Sequence, residues 1–143
     1  MSTRGGAPAT RGNACPCAGA TLARLIQPAV LTALAGGAQH GYRIVASLAA
    51  SPVMAGSRPD PTGVYRVLRS MERRGLVVGA WDLSDSGPAR RRYRLTPAGR
   101  RCLGRWVQTL AEYHRAIRGL LAAARKASAA PAGHAKRREG NAP

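Results

Sequence analysis

Residues 60–76 read DPTGVYRVLRSMERRGL, and the spacing within this stretch decides the fold. Asp60 suits a helix N-cap, Pro61 suits the first helical position, and Gly75 suits the C-terminal stop. At about 3.6 residues per turn, Val64, Val67, Leu68 and Met71 form one apolar stripe. Thr62, Arg66, Arg69, Ser70 and Arg73 take the opposite face, and Tyr65 lies on the flank. A solvated helix face ordinarily mixes signs. This one holds no acid, since Glu72 and Arg74 lie nearer the seam. The pattern predicts a helix packed on one side that offers arginine to a polyanion on the other.

The bulk charge agrees. The 143 residues carry 23 Lys+Arg against 6 Asp+Glu, a formal net charge of +17, which implies a polyanionic partner. Of the basic residues 21 are Arg, in a chain also rich in Ala and Gly. The surplus is spread along the chain: residues 60–94 hold eight Arg against four acids, and residues 125–143 hold five basic residues against one. No apolar run is long enough to cross a membrane, and the opening MSTRGGAPATRGNACPC has no hydrophobic core of a signal peptide. A cytoplasmic chain is expected. Three cysteines and no Phe argue against a disulfide framework and leave the core to Leu, Val, Ile and Ala.

Upstream of the basic helix, ATLARLIQPAVLTALA (20–35) carries helical spacing through Leu22, Leu25, Ile26, Ala29, Val30 and Leu34. Pro28 either kinks this helix or opens a second one. After Gly36-Gly37, HGY (40–42) leads into a short helix with Ile44, Val45 and Leu48 inward. Residues 51–60 form a loop. Downstream, LVVGAWDLSDSGPARRRYRLT (76–96) predicts strand, turn, strand. Val77, Trp81 and Leu83 lie on one arm, Tyr93 and Leu95 on the other, and Trp81 is expected in the core. Thr96-Pro97 opens a long last helix, with Gly99 weakening its first turns. Its apolar positions, Leu103, Trp106, Val107, Leu110, Tyr113, Ile117, Leu120 and Leu121, recur in steps of three and four, the pattern of a helix that pairs with another. His114 sits in that seam as a packing residue.

The order of helix, helix, basic helix, hairpin and long helix is that of a winged helix-turn-helix, whose third helix enters the major groove of DNA. The fold class is therefore mainly α with a small β-hairpin wing and a long C-terminal dimerisation helix. The expected organisation is a flexible arm over 1–18, a DNA-binding domain over 19–97, a dimerisation helix over 98–127 and a disordered basic tail over 128–143.

The segments VLTALAGGAQHGYRIVASL (30–48), PTGVYRVLRSMERRGLV (61–77) and SGPARRRYRLTPAGR (86–100) together resemble the PadR-type bacterial transcriptional regulators. The resemblance implies a homodimeric repressor with one winged helix per subunit, bound to a pseudo-palindromic operator on double-stranded DNA and released by a small-molecule effector. It implies that the last helix, with the first, makes the dimer interface. It places Tyr42 on backbone phosphate, Tyr65 and its neighbours in the groove, and residues 86–92 as the wing. The third helix departs from the family's usual Gly-Thr-Leu-Tyr-Pro run: here it reads Thr62-Gly63-Val64-Tyr65-Arg66, which points to a different operator.

The expected DNA-binding residues are Tyr42, Thr62, Tyr65, Arg66, Arg69, Arg73, Arg90, Arg91 and Arg92. Trp106 and Leu110 are candidates for lining an effector pocket between subunits. Cys15, Cys17 and Cys102 admit a sensory alternative. A Cys-Pro-Cys arm can ligate a soft metal or metalloid, Cys15-Pro16 is similar to a haem-regulatory Cys-Pro motif, and thiols can be oxidised. Against these stand incidental cysteines in the arm and a buried Cys102. A general nucleic-acid-coating protein fits the charge equally well, but has no use for the apolar seam and would need surface aromatics for stacking. Catalysis is not expected: no acid pairs with a His at helical spacing, and no nucleophile-elbow, phosphate-loop or dinucleotide motif occurs.

Overall fold

In the computed structural model, residues 24–54, 60–83 and 90–131 are described. Helix α1 (Ile26–Ala35) is followed by strand β1 (Gln39–His40), α2 (Gly41–Ala49), a 3-10 turn (Pro52–Met54), α3 (Pro61–Arg73), β2 (Val77–Asp82), β3 (Arg90–Leu95) and α4 (Pro97–Ala129). The chain divides into two units, residues 1–104 and 105–143, with the division falling inside α4.

The first unit closes its own core. Val30, Leu31 and Leu34 of α1 are buried, with Ile44 and Leu48 of α2, Val64, Leu68 and Met71 of α3, and Val77, Tyr93 and Leu95 of the sheet. Pro28 falls in the first turn of α1, where a missing N–H costs no helical hydrogen bond. Helix α3 begins as its sequence requires: Asp60 caps it by accepting from the Thr62 amide at 3.2 Å. It ends in a Schellman motif, with the Leu76 amide donating to the Met71 carbonyl (2.9 Å) and the Gly75 amide to that of Glu72 (3.0 Å). Gly75 takes φ of 72°, a conformation open to glycine.

Three expectations are corrected. The hairpin is part of a three-stranded antiparallel sheet in the order β1-β3-β2, because Gln39 and His40 pair with Tyr93 and Arg92; a two-residue strand carries no periodicity to read. Trp81 is 64% exposed. It shares the face of Val77 and Gly79 by alternation but lies at the outer end of β2, paired with Arg91, and Leu83 lies beyond the strand and is exposed. Gly99, expected only as a weak point of α4, has a packing role. It is buried, and a Cβ there would run into the Leu76 carbonyl. That close approach seats α4 against the start of β2. Thr96 completes the joint: its amide donates to the Leu76 carbonyl (3.1 Å), its hydroxyl donates to that of Gly75 (2.6 Å), and the Gly99 amide donates to its Oγ1 (3.0 Å).

In the second unit α4 continues as regular helix to Ala129, two residues into the segment expected to be a disordered tail. The arm with Cys15 and Cys17, the wing tip over 84–89 and residues 132–143 lie outside the described residues.

Candidate nucleic-acid interface

The acid-free face of α3 is solvent-facing. Thr62, Arg66, Arg69 and Arg73 are exposed, opposite the buried Val64, Leu68 and Met71. Glu72, the one acid inside this helix, is turned to the sheet. Its Oε2 accepts from the Arg91 guanidinium at 2.7 Å and from the Gly79 amide at 3.1 Å. The arginine face is thus left without a counter-ion from its own helix, the condition under which it attracts phosphate.

Tyr65, on the flank of this face, also packs against α2. It is 38% exposed, and its ring lies so close to the Gly41 backbone that a Cβ on Gly41 would stand 2.5 Å from its Cε1. Gly41 is therefore the residue that lets α2 and α3 approach, and Tyr65 fills the space.

The three consecutive wing arginines separate by strand alternation. Arg90 and Arg92 are exposed, while Arg91 is half-buried. The Arg91 guanidinium lies 5.8 Å from the centre of the Trp81 ring and 5.7 Å from that of Tyr93, within the range of cation–π attraction. Burial pushes the Tyr93 hydroxyl pKa up, opposed by the nearby Arg91 charge. Arg94, on the same face as Arg90 and Arg92, is also exposed; period-two alternation alone identifies it as the next member of that row.

Tyr42 and Arg90 meet, although they come from α2 and β3. The Arg90 Nη1 donates to the Tyr42 hydroxyl at 3.4 Å, with its guanidinium carbon 5.2 Å from the ring centre. The His40 ring stacks on Tyr42 with centroids 5.6 Å apart and planes at 14°. His40 Nε2 in turn lies 3.0 Å from Asp82 Oδ2.

The long-helix residues fall into two groups. Leu103, Trp106 and Leu110 are half-buried; Val107, Tyr113, Ile117, Leu120 and Leu121 are exposed. Cys102 is buried, with Gln27 Nε2 at 3.9 Å from its sulfur. Among the described residues no three His, Cys, Asp or Glu are placed to hold a metal ion, and no helix is long and apolar enough to cross a membrane.

Several solved structures share this fold. A candidate transcriptional regulator of Thermoplasma acidophilum is 26% identical, with a TM-score of 0.62 over 71% of this chain and 95% of that one. A PadR-family regulator of Clostridium difficile is 21% identical, with a TM-score of 0.58 over 68% of this chain and 98% of the other. Bacillus subtilis PadR, solved in complex with operator DNA, is 21% identical, with a TM-score of 0.51 over 59% of this chain and 47% of its own. Comparison with curated proteins found no match. The sequence profile of the PadR-like transcriptional regulators matches residues 30–105, a span that runs from the core of α1 through the wing to the start of α4. The chain belongs to the PadR-like family of transcriptional regulators.

Proposed function

We propose that this protein is a cytoplasmic, homodimeric repressor that reads a pseudo-palindromic operator and is released by an effector. The observation that carries this reading is the pairing of two open faces on one chain: the acid-free arginine face of α3 and the apolar face of α4. The first suits a phosphate backbone and guanine edges. The second suits another copy of itself, because an apolar helix face of this length is unstable in water.

In this reading Arg66, Arg69 and Arg73 reach base edges from the major groove. Tyr42, Arg90 and Arg92 take backbone contacts. Leu103 to Leu121 form the subunit interface, and Trp106 with Leu110 lines a pocket for an apolar effector there. Tyr65 and Arg91 serve by holding α2, α3 and the wing together, not by touching bases. The test is sedimentation of the full chain with and without a duplex selected from a random-sequence pool. A dimer that binds one duplex, with sequence preference, is expected. A monomer that coats any polyanion alike would favour the non-specific reading instead.

A further inference from the structure

The cluster at the root of the wing joins four elements through four side chains. Asp82 belongs to β2, His40 to β1, Tyr42 to the first turn of α2, and Arg90 to β3. An ionised carboxylate only accepts, so the 3.0 Å contact with Asp82 puts the proton on His40 Nε2 and fixes the ring. The fixed ring stacks on Tyr42, which removes the freedom of an otherwise exposed side chain. Tyr42 then receives Arg90 on its oxygen. The Tyr42 hydroxyl keeps its proton to donate outward, and the guanidinium has further N–H groups to offer. Two donors of one anion site, from different elements, stand side by side.

We propose that His40 and Asp82 form a latch that locks Tyr42 of α2 and Arg90 of the wing into a single clamp on one DNA backbone phosphate. The proposal deepens the DNA-binding reading and rests on it. The recognised chemistry is one phosphodiester oxygen pair, met by a phenol O–H and a charge-assisted guanidinium N–H. Without the latch, the wing and α2 would each contact phosphate on their own. With it, the wing's position is tied to that of the helix-turn-helix, so both engage or neither does. Tyr42 and Arg90 touch DNA; His40 and Asp82 are positioning residues.

The test uses the full chain, a duplex selected from a random-sequence pool, and versions of that duplex with one uncharged methylphosphonate at successive backbone positions and their symmetry mates. Tyr42→Phe and Arg90→Ala are each expected to weaken binding to the native duplex about tenfold, and both to become silent at one and the same neutralised position. His40→Ala and Asp82→Ala should lose several-fold on the native duplex and nothing further on that neutralised one. Asp82→Asn, which keeps an acceptor, should lose less than Asp82→Ala. If His40→Ala melts, His40→Gln takes its place, retaining the hydrogen bond but not the ring. Two different silent positions for Tyr42 and Arg90 overturn the clamp. A His40 variant that weakens native and neutralised duplexes equally is a strut only and overturns the latch. If the wild type selects and binds no duplex, the DNA reading fails, and the latch with it.

Discussion

The two faces that this chain leaves open differ in kind. On α3 the exposed side chains are Arg66, Arg69 and Arg73, over a stripe of Val64, Leu68 and Met71 that is fully buried by the same unit. On α4 beyond Gly104, the exposed side chains include Ile117 at 60% and Leu120 at 70%, with Val107, Tyr113 and Leu121. A charged face is satisfied by water and counter-ions until DNA displaces them. An apolar face has no such resting state. The first unit therefore buries its apolar stripe within one chain, and the second leaves its own exposed.

The largest expected effect tests that difference directly. Leu110→Glu with Ile117→Glu should turn the proposed dimer into monomers and abolish operator binding, while the first unit keeps its fold. Four large side chains leave the interface, two per subunit. At about 1.5–3 kcal/mol each, the loss is at least about 6 kcal/mol before the charge repulsion is counted. Sedimentation and anisotropy on the same samples check this. A variant that stays dimeric would show that the apolar face of α4 is not what joins the subunits.

Gly99→Ala probes the other unit. The new methyl group meets the Leu76 carbonyl, so α4 must shift away from β2, at a cost of about 1–3 kcal/mol for overpacking. The melting temperature of the first unit should fall, and the Thr96 hydrogen bonds should open to exchange. The dimer should persist, since the face beyond Gly104 is untouched. An unchanged melting temperature would mean that the joint between sheet and helix has slack.

Much of this architecture was legible in the sequence where several local signals coincide. For α3 the Asp60 cap, Pro61, the apolar stripe and the Gly75 stop all agree, and the helix begins and ends where they say. Thr96-Pro97 likewise marks the start of α4. What was not legible depends on residues far apart in the chain. The Arg91–Glu72 pair spans 19 positions and the His40–Asp82 pair 42, and no local pattern announces either. Gly99 looked like a flaw because helix propensity is local, whereas the Leu76 carbonyl that demands it belongs to another element. Trp81 is expected inside, yet it lies near the outer end of β2, paired with Arg91, and is exposed. For the three wing arginines a signal did exist: strand alternation already sets Arg91 on the opposite face from Arg90 and Arg92.

Within the arginine face, Arg69→Ala should cost about 1–3 kcal/mol against the selected duplex if Arg69 makes a bidentate base contact. It should cost much less against random duplex. The ratio of the two affinities is the quantity to measure, at fixed salt. An equal loss on both would move Arg69 from base reading to backbone contact and make the α3 face a purely electrostatic one.

The smallest effect separates neighbours on one strand. Arg92 is exposed on the solvent face of β3, whereas Arg91 lies near Trp81 and Tyr93 with Glu72 at 2.7 Å. Arg92→Ala should weaken all duplexes alike and flatten the dependence of log affinity on log salt by about one unit, because one phosphate contact is lost. Arg91→Ala should leave that slope unchanged. It should instead lower stability by about 1 kcal/mol or less, the usual worth of a partly exposed ion pair, and leave Glu72 with only the Gly79 amide. The comparison breaks if Arg91→Ala flattens the slope and spares the melting temperature. In that case Arg91 would leave Glu72 for phosphate when DNA arrives, and the freed Glu72 carboxylate would add a negative charge beside the arginine face that binding must overcome.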